Sequence, residues 1–511
     1  MDYLLKAYPT EGSPLPVISL GLGGAVALLG IYKIFNKSSL PLPPGPKGLP
    51  FIGNMLQLPA DRQWIQFTEW AKQYGDVVHV SALGQHIVIL SSIEAISLLE
   101  RRGTIYSDRP HLTFAGTIVG WAESLPLTQS GPRHREFRKL INEAVAPRKL
   151  AEYHPIEVKH TKEFLKDLLA TPEDFLHLIK RVVACSVFEI SHGYTPAKHD
   201  DLLMGLAERA DHDLASAIVP GKYLCDIFPI LCHLPSWMGF RWSRDVAEFK
   251  ENMTAMRDTP YEMIRDQLAK GKAIPSFTTS LLERDSNPSQ EQELIYKWAS
   301  STLYSAGADT TISAISSFFL AVAGHPDVQK KAQEEIDRVV GSDRLPTFAD
   351  RPHLPYLEGL IKEVHRWRPV GPLALPHRTS KDDVYNGLHI PAGSTIMPNN
   401  WAIMHDPAIY PDPWTFKPER YLNSSASSSE STPMNPDPRR FAFGYGRRVC
   451  PGRDLADDML FIAASMVLAV FDLEKRTDGF EYTGSVSCHP MPFKCGIKPR
   501  SKRAEVLILG E

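Results

Sequence analysis

The pattern of apolar and polar positions predicts a mainly helical chain with a small share of strand. Over residues 75–92 apolar and polar residues alternate on both sides of Gly84, which is typical of two strands joined by a turn. Long helical periods extend over residues 291–323 and 327–340. The Gly-His-Pro sequence at 324–326 separates them, because proline cannot continue a helix that is already formed.

The first long apolar stretch, residues 14–32, contains no charged side chain. One helical membrane span needs about 20 apolar residues, so this stretch predicts a single membrane anchor. A cleaved signal peptide is the alternative, which the small residues of the stretch keep open. A lysine bias on its far side favours a retained anchor with the rest of the chain in the cytosol. The charges are Asp2, Lys6 and Glu11 before the stretch and Lys33, Lys37 and Lys47 after it.

Proline is dense immediately after this stretch, at residues 40–50. A run of prolines excludes helix and gives a stiff, extended segment. Residues 423–436 are polar and of low complexity, which predicts a loop that adds nothing to the core. We therefore predict three parts: a membrane anchor over 1–36, a proline-rich neck over 37–54 and one large body over 55–511.

Composition excludes several classes of function. The chain has 511 residues and a net charge of −3, so nothing draws it as a whole to nucleic acid. Its six cysteines are scattered without zinc spacing, which indicates a reducing compartment and no disulfide framework. Outside residues 14–32 and 441–454 there is no dense glycine run, and no strand–glycine–helix fingerprint occurs. We expect no flavin or nicotinamide bound by this chain itself.

One cysteine, Cys450, lies in a basic, glycine-broken loop just before an apolar helical pattern. Gly446 and Gly452 allow backbone geometry and close approach that a side chain would block. Pro451 stiffens the turn after the sulfur. Nearby arginines and the amino end of the following helix favour a thiolate over a thiol.

The spacing Phe443-x-x-Gly446-x-Arg448-x-Cys450-x-Gly452 resembles the haem-binding loop of the cytochrome P-450 superfamily. The resemblance implies haem b with Cys450 as the axial iron ligand, a ligation known to promote cleavage of the O–O bond. It also implies a mainly α fold, a helical triangular prism with a small β-rich lobe, preceded here by the one N-terminal transmembrane helix. Among family members the chain looks most similar to fungal microsomal hydroxylases of secondary metabolites.

A second family motif is expected along the long helical pattern, in the sequence Ala306-Gly-Ala-Asp-Thr. An acid beside a hydroxyl in an apolar helix is costly unless it is used or paired. By resemblance, Asp309 and Thr310 handle protons for dioxygen, and Gly307 opens the helix groove in which oxygen sits. The alternative from the residues alone is a threonine bonded back to its own helix, with Gly307 giving a local bend.

Two further charged groups complete the resemblance. Glu363 and Arg366, three residues apart on one helix, and Arg420 upstream of the cysteine loop resemble the family's structural Glu-Arg-Arg triad. For the two haem propionates the family pattern implies cationic or donor groups from several segments. In this chain these are Arg448, His377, Arg138 and His134, the last at a position where the family commonly has tryptophan. A solvated helix arginine is the alternative for Arg138.

Positions relative to these motifs predict an apolar substrate pocket. Its expected lining residues are Tyr304, Ala306, Leu373, Ala374 and Leu375. Residues 218–240 are rich in apolar and aromatic side chains without a helical period. They predict either an ordinary core segment or an entrance that dips into the membrane and admits lipophilic substrates.

The reaction that the resemblance implies is monooxygenation of a lipophilic small molecule by O2 (a terpenoid, steroid, indole or other secondary metabolite or xenobiotic). Its electrons come from NADPH through the flavins of a separate NADPH-cytochrome P-450 reductase, with cytochrome b5 as a further expected donor. Arginines around the cysteine loop predict a docking collar for an acidic partner, or else local ion pairs. These are Arg439, Arg440, Arg447 and Arg453.

The expected location is the endoplasmic reticulum membrane, with lipid contact through the anchor and a cytosolic body. Two other functions remain open at this point. One is a haem-thiolate isomerase or dehydratase that uses no O2, and the other is a non-enzymatic haem sensor.

Overall fold

The computed structural model describes residues 40–219, 221–233, 241–422, 435–476 and 479–510. The predicted anchor lies outside the described residues, as do most of the predicted polar loop and part of the apolar segment at 218–240.

Helices make up most of the described chain, as the apolar pattern predicts. The longer ones are α1 (Gln63–Tyr74), α2 (Pro132–Ala144), α3 (Pro147–Ala170), α4 (Phe175–His192), α5 (Leu202–Ala217), α6 (Arg241–Ala269), α7 (Phe277–Arg284), α8 (Gln290–Gly324), α9 (Pro326–Val339), α10 (Pro355–Trp367), α11 (Arg453–Val470) and α12 (Lys502–Leu509). Short helical segments lie at Met55–Gln57, Ile93–Ile96, Leu98–Arg101, Gly103–Tyr106, Thr113–Val119, Trp121–Glu123, Pro172–Asp174, Leu224–Ile227, Pro229–His233, Phe348–His353, Asn400–Met404, Pro418–Tyr421, Arg439–Ala442 and Gly446–Arg448.

Helix α8 runs through the centre of the body and contacts α2, α4, α6, α10 and α11. The Ser289 side chain caps its first turn by accepting a hydrogen bond from the Gln292 amide. Over residues 313–323 the helix carries small and apolar side chains on every side, and all of these residues are buried. Among the described helices α8 alone has the length and apolar composition of a membrane span. Because 67% of its most apolar window lies inside the protein, it is a core helix.

The strands form three small sheets. β1 (Val77–Ala82), β2 (Gln85–Leu90), β6 (Thr395–Pro398) and β3 (His377–Arg378) make a four-stranded sheet in the order β1-β2-β6-β3. β1 and β2 are antiparallel and β2 and β6 parallel, with Ile89 opposite Met397. β4 (Asp383–Tyr385) pairs with β5 (Leu388–Ile390), and β7 (Phe471–Lys475) pairs with β8 (Cys495–Pro499).

The turn predicted at Gly84 is confirmed. Leu83 and Gly84 both have positive φ angles, of 49° and 82°, as a tight two-residue hairpin turn requires. This hairpin belongs to the four-stranded sheet, which carries His377 on β3 close enough to Arg448 of the predicted haem loop for that charge to lower the pKa of His377.

The described part of the predicted neck, from residue 40 onward, packs on the sheets. The Pro44 carbonyl accepts a hydrogen bond from the His79 amide at 2.9 Å, and the Pro41 carbonyl accepts one from the His389 amide at 2.7 Å. Gly45 passes so close to β1 that a Cβ atom would lie 2.0 Å from the His79 carbonyl oxygen. Proline lacks an N–H but keeps its carbonyl, so a stiff extended segment can still pair with a strand. Residues 40–54 therefore pack against the sheets, and their division from the body as a separate neck stays a prediction.

Candidate haem site and oxygen-side helix

The loop around Cys450 is a compact turn that leads into α11. The Cys450 amide donates to the Phe443 carbonyl at 2.6 Å. Gly446 has a φ of +53°, and a Cβ atom there would lie 2.4 Å from the Leu99 carbonyl oxygen, so the predicted need for glycine is confirmed. Gly452 differs, because its φ is −88° and open space surrounds its missing side chain. The protein therefore places no steric demand for glycine at position 452.

Burial raises the pKa of the Cys450 thiol, although the Gly452 amide and the positive charge of Arg138 act in the opposite direction. The loop amide and arginines thus favour the thiolate, as the sequence predicts, but burial outweighs them in the protein alone. Arg448 donates instead to the carbonyls of Ser107 and Thr128, at 2.7 and 2.8 Å. If haem is bound here, its iron would supply the positive charge that stabilises a Cys450 thiolate.

Five cationic or imidazole side chains from separate segments converge beside this loop: Arg109, His134, Arg138, His377 and Arg448. Burial and the charge of Arg448 lower the pKa of Arg109 to about 9. Burial likewise lowers the pKa of Arg448 to about 10, with Arg138 acting in the same direction and Asp108 against it. One buried guanidinium nitrogen of Arg448, Nη1, has no hydrogen-bond partner among the described residues. Such a group calls for an anion, and the two haem propionates are anions.

The two histidines of this group are neutral in the protein. Burial, followed by the charges of Arg448, Arg138 and Arg109, lowers the pKa of His134 to about 4. Burial and Arg109 lower the pKa of His377 to about 3. His377 Nδ1 lies 2.7 Å from the Tyr106 carbonyl and so carries the proton. Its Nε2 can then donate to a carboxylate only as imidazolium, which an adjacent propionate would favour.

The cations beside the cysteine loop include Arg138, which the sequence predicted, and Arg109, which it did not. Arg138 donates to the Val449 carbonyl at 2.5 Å, next to the cysteine, which makes it more than a solvated helix arginine. Arg109 belongs to none of the sequence motifs. It is buried and donates to the carbonyls of Pro126, Leu375 and Pro376. No periodic pattern marks this residue in the sequence. Together with the cysteine loop, these side chains fit haem.

Helix α8 exposes Ala306 and Thr310, one turn apart on one face. The Thr310 hydroxyl donates to the Ala306 carbonyl at 2.8 Å, which is the back-bonded arrangement that the residues alone allowed. Gly307 lies on a different face. A Cβ atom there would lie 3.5 Å from a Val187 methyl of α4, an ordinary packing distance. Its predicted role in opening the groove stays a prediction.

Asp309 is ion-paired on a third face of α8. Its Oδ1 lies 3.0 Å from Nε2 of His489, which follows β7 in the chain. Burial alone would raise the pKa of Asp309, but hydrogen bonds from His489 and Ser487 and the charge of Lys180 outweigh burial and lower it. The carboxylate is therefore ionised in the protein. The sequence motif identified the acid but not this partner.

The three residues of the predicted triad meet in the core. Arg366 donates to Glu363 through Nε and Nη2, both at 2.8 Å, and Arg420 Nε lies 3.2 Å from the same carboxylate. Tyr421 and the Lys417 amide also donate to Glu363, at 3.1 and 2.9 Å. The two arginines bind backbone carbonyls of residues 404–415. The triad thereby ties α10 to the segment that precedes the cysteine loop.

The predicted pocket residues separate into two groups. Ala306 is exposed, and Leu373, Ala374 and Leu375 are half-buried in the turn before β3. Ala374 has a φ of +50°, a strained value for a residue with a side chain. The prediction for Tyr304 is wrong, because this side chain is completely buried, stacks on Phe188 and donates to the Met256 carbonyl at 2.6 Å. It belongs to the helix-packing core.

The four arginines predicted to form a docking collar differ in exposure and in their ion pairs. Arg439 is half-buried and bonded to three carboxylates, those of Asp437, Asp457 and Glu358, so it is a local structural residue. Arg440, Arg447 and Arg453 are exposed, and Arg453 pairs with the equally exposed Asp454 at 3.1 Å.

Comparison with known proteins agrees with this geometry. The cytochrome P-450 family model matches residues 43–495. Cytochrome P-450 monooxygenase 208 of Postia placenta is 42% identical, covering 96% of this chain and 97% of that protein. Monooxygenase claR of Ampulloclitocybe clavipes is 40% identical over 94% of this chain and 90% of its own length. Monooxygenase COX2 of Coprinopsis cinerea is 39% identical over 91% of this chain and 90% of its own length.

The match begins at residue 43, so most of the proline-rich segment belongs to the matched region, in keeping with its packing on the sheets. The relatives are fungal and bear the names of monooxygenases, which is consistent with an oxidoreductase. With the cysteine loop, the buried cations and the buried triad all present, the chain belongs to the cytochrome P-450 family.

Proposed function

We propose that this protein is a haem-thiolate monooxygenase that inserts one oxygen atom from O2 into a lipophilic small molecule. The observation that carries the proposal is the pairing of the Cys450 loop with the buried cations, of which Arg448 has an unpartnered donor. Haem b, when bound, supplies the O2 and electron-transfer chemistry, with Cys450 as the iron ligand. Arg448, Arg138, Arg109, His134 and His377 hold its propionates, and Phe443 fixes the cysteine through its carbonyl.

Asp309 and Thr310 manage the protons of the reaction. The Thr310 hydroxyl lies on the exposed face of α8 beside Ala306, where it can reorient from the Ala306 carbonyl toward a reacting oxygen. Asp309 immediately precedes Thr310 in the helix and is ionised. General acid–base groups of this kind contribute about 10²–10⁴-fold to rate.

Electrons come from NADPH through the flavins of a separate NADPH-cytochrome P-450 reductase, with cytochrome b5 as a second donor. The exposed Arg440, Arg447 and Arg453 lie around the cysteine loop and support docking of an acidic partner at this face. The ion-paired Arg439 contributes to the stability of the face and not to steering.

The substrate is apolar and reaches the site from lipid. Ala306, Leu373, Ala374 and Leu375 offer no charged group to a substrate. Exposed apolar side chains support contact of the body with a membrane, where an apolar surface is stabilised. They include Phe51 (96% exposed), Leu56 (75%), Phe228 (51%) and Ile230 (74%). With the N-terminal anchor, these residues favour the endoplasmic reticulum membrane as the location.

Reconstitution of the full-length holoenzyme with reductase, NADPH and ¹⁸O2 tests the proposal on a panel of terpenes, steroids and indoles. We expect one ¹⁸O atom in the product and NADPH consumption that depends on substrate. Product that forms without NADPH or ¹⁸O would instead indicate an isomerase or dehydratase. Haem and ligand binding without any turnover across the panel would indicate a haem sensor.

A further inference from the structure

The chain between β7 and β8 docks along one face of α8. The Tyr482 hydroxyl is 3.1 Å from Ser317 Oγ, the Ser313 hydroxyl donates to the Cys488 carbonyl at 2.5 Å, and His489 pairs with Asp309 at 3.0 Å. The helix positions 309, 313 and 317 are four apart, so they form one polar stripe on α8. The loop contacts the helix at each of these three positions, and Asp309 lies at the N-terminal end of the stripe.

The loop holds His489 in place by bonds of its own. The Thr483 amide donates to the His489 carbonyl at 2.9 Å, and the His489 amide donates to Thr483 Oγ1 at 3.0 Å. Arg62 of the chain before α1 donates to the Tyr482 carbonyl at 3.1 Å and fixes the other end of the loop. The imidazole is therefore presented to Asp309 by a preorganised backbone.

The charged and titratable groups around Asp309 come from three elements. The loop contributes His489 and Ser487, α4 contributes Lys180, and α5 contributes Asp211. Lys180 also pairs with Glu208 of α5, at 3.4 Å. Burial raises the pKa of Asp211 to about 8, with the charge of Asp309 acting in the same direction. Among these groups His489 alone lies at an ion-pair distance from Asp309, and an imidazole can both accept and donate a proton.

Exposure gives the pair a route to solvent. The Asp309 side chain is 42% exposed and that of His489 is 27% exposed. A carboxylate that delivers a proton at each turnover must recover one each time, and an ionised carboxylate held by hydrogen bonds recovers it most directly from the donor that holds it.

We propose that His489 is a positioning residue that holds Asp309 and returns protons to it from solvent. In this step the Nε2–H bond of the imidazolium breaks and an O–H bond forms on Asp309 Oδ1. The neutral imidazole then takes a proton from water and its charge is restored. No electron moves. The proposal rests on the monooxygenase function above, because only a proton-consuming cycle uses this supply.

Three variants of the full-length holoenzyme test it. His489→Gln keeps a hydrogen-bond donor but cannot relay a proton, and His489→Ala removes both properties. Tyr482→Phe is the matched control, because it removes a loop–helix hydrogen bond without touching Asp309. Turnover, product per NADPH and the D2O solvent isotope effect are measured with reductase from about pH 5.5 to about pH 8.5, the range in which histidine titrates.

We expect both His489 variants to lower turnover about tenfold, below the usual range for a group at the reacting atom because His489 acts through Asp309. Their pH profiles should lose the histidine limb and their isotope effects should change, whereas Tyr482→Phe should behave as the wild type. The proposal is overturned if His489→Gln keeps the wild-type profile, since a hydrogen bond would then suffice. It is equally overturned if Tyr482→Phe lowers turnover as much as the His489 variants do, since weaker docking of the loop on α8 would then be the cause.

A second readout is independent of activity. Thermal unfolding of the ferric holoenzyme is compared for Asp309→Asn, His489→Gln and the double variant. Coupled residues give non-additive changes in the unfolding midpoint. Additive changes would overturn the ion pair whether or not the enzyme turns over. An inactive wild type with a non-additive cycle would count against the proposed function and leave the pair intact.

Discussion

The buried triad gives the sharpest prediction for stability. Glu363 and Arg366 have no exposed area, and Arg420 is nearly as buried. Glu363 accepts hydrogen bonds from both arginines, from Tyr421 and from the Lys417 amide. Glu363→Gln keeps the shape of the side chain but removes its charge and leaves two buried guanidinium groups without a counterion. Breaking a buried pair in this way costs about 3–5 kcal/mol.

This cost is large against a total stability of about 5–15 kcal/mol for a typical domain. We therefore expect Glu363→Gln to lower the unfolding midpoint of the ferric holoenzyme by several degrees and to lower the haem content of the purified protein. The midpoint is followed by the loss of Soret absorbance and by far-UV circular dichroism, and haem content by the pyridine haemochrome spectrum.

The matched control is Glu358→Gln on the same helix. Glu358 is partly exposed and pairs with Arg351 at 3.1 Å and Arg439 at 2.7 Å, but both arginines keep other carboxylate partners, so we expect its loss to cost less. If Glu363→Gln costs no more than Glu358→Gln, the reasoning from burial is refuted. The triad would then contribute no more to stability than a partly exposed ion pair.

Four further predictions follow from the same structure. Cys450→Ser should abolish the strongly red-shifted Soret band of the reduced carbon-monoxide complex, and a retained band would exclude Cys450 as the ligand. Deletion of residues 1–36 should leave haem binding intact but greatly reduce sedimentation with membranes, and unchanged sedimentation would contradict the anchor. Thr310→Ala should keep haem content and substrate binding, because removal of one hydroxyl costs little, while product per NADPH falls several-fold and hydrogen peroxide rises. Asp309→Asn should instead slow the whole cycle. Normal coupling and turnover in both variants would favour a reaction without O2. The Arg344 guanidinium lowers the pKa of Asp350 to about 2, so the stability that this carboxylate adds should be present above about pH 4 and be lost as pH falls through 2. The free energies of urea unfolding of Asp350→Asn and wild type should therefore differ more at about pH 5 than at about pH 2.5. An equal difference at both pH values would contradict the ion pair.

Local pattern was sufficient for the features that depend on neighbours in sequence. The hairpin at Gly84, the long helix α8 and its end at residues 324–326 all follow from side-chain periodicity and from glycine or proline. Glu363 and Arg366 were predictable as a pair because residues three apart share a helix face. The spacing around Cys450 likewise identified the haem loop, since a turn of this kind is built from consecutive residues.

Other features depend on contacts between distant segments, and these only the tertiary structure decided. Burial raises the pKa of the Cys450 thiol, although the loop looks basic in sequence. Tyr304 lies on the packing face of α8 and not on its exposed face, and helical position is set by the neighbours α4 and α6. Arg109 joins the buried cations, and His489 reaches Asp309, without any periodic signal. Periodicity determines which side chains share a face of a helix. Burial and long-range pairing depend instead on which segments the fold brings against each face.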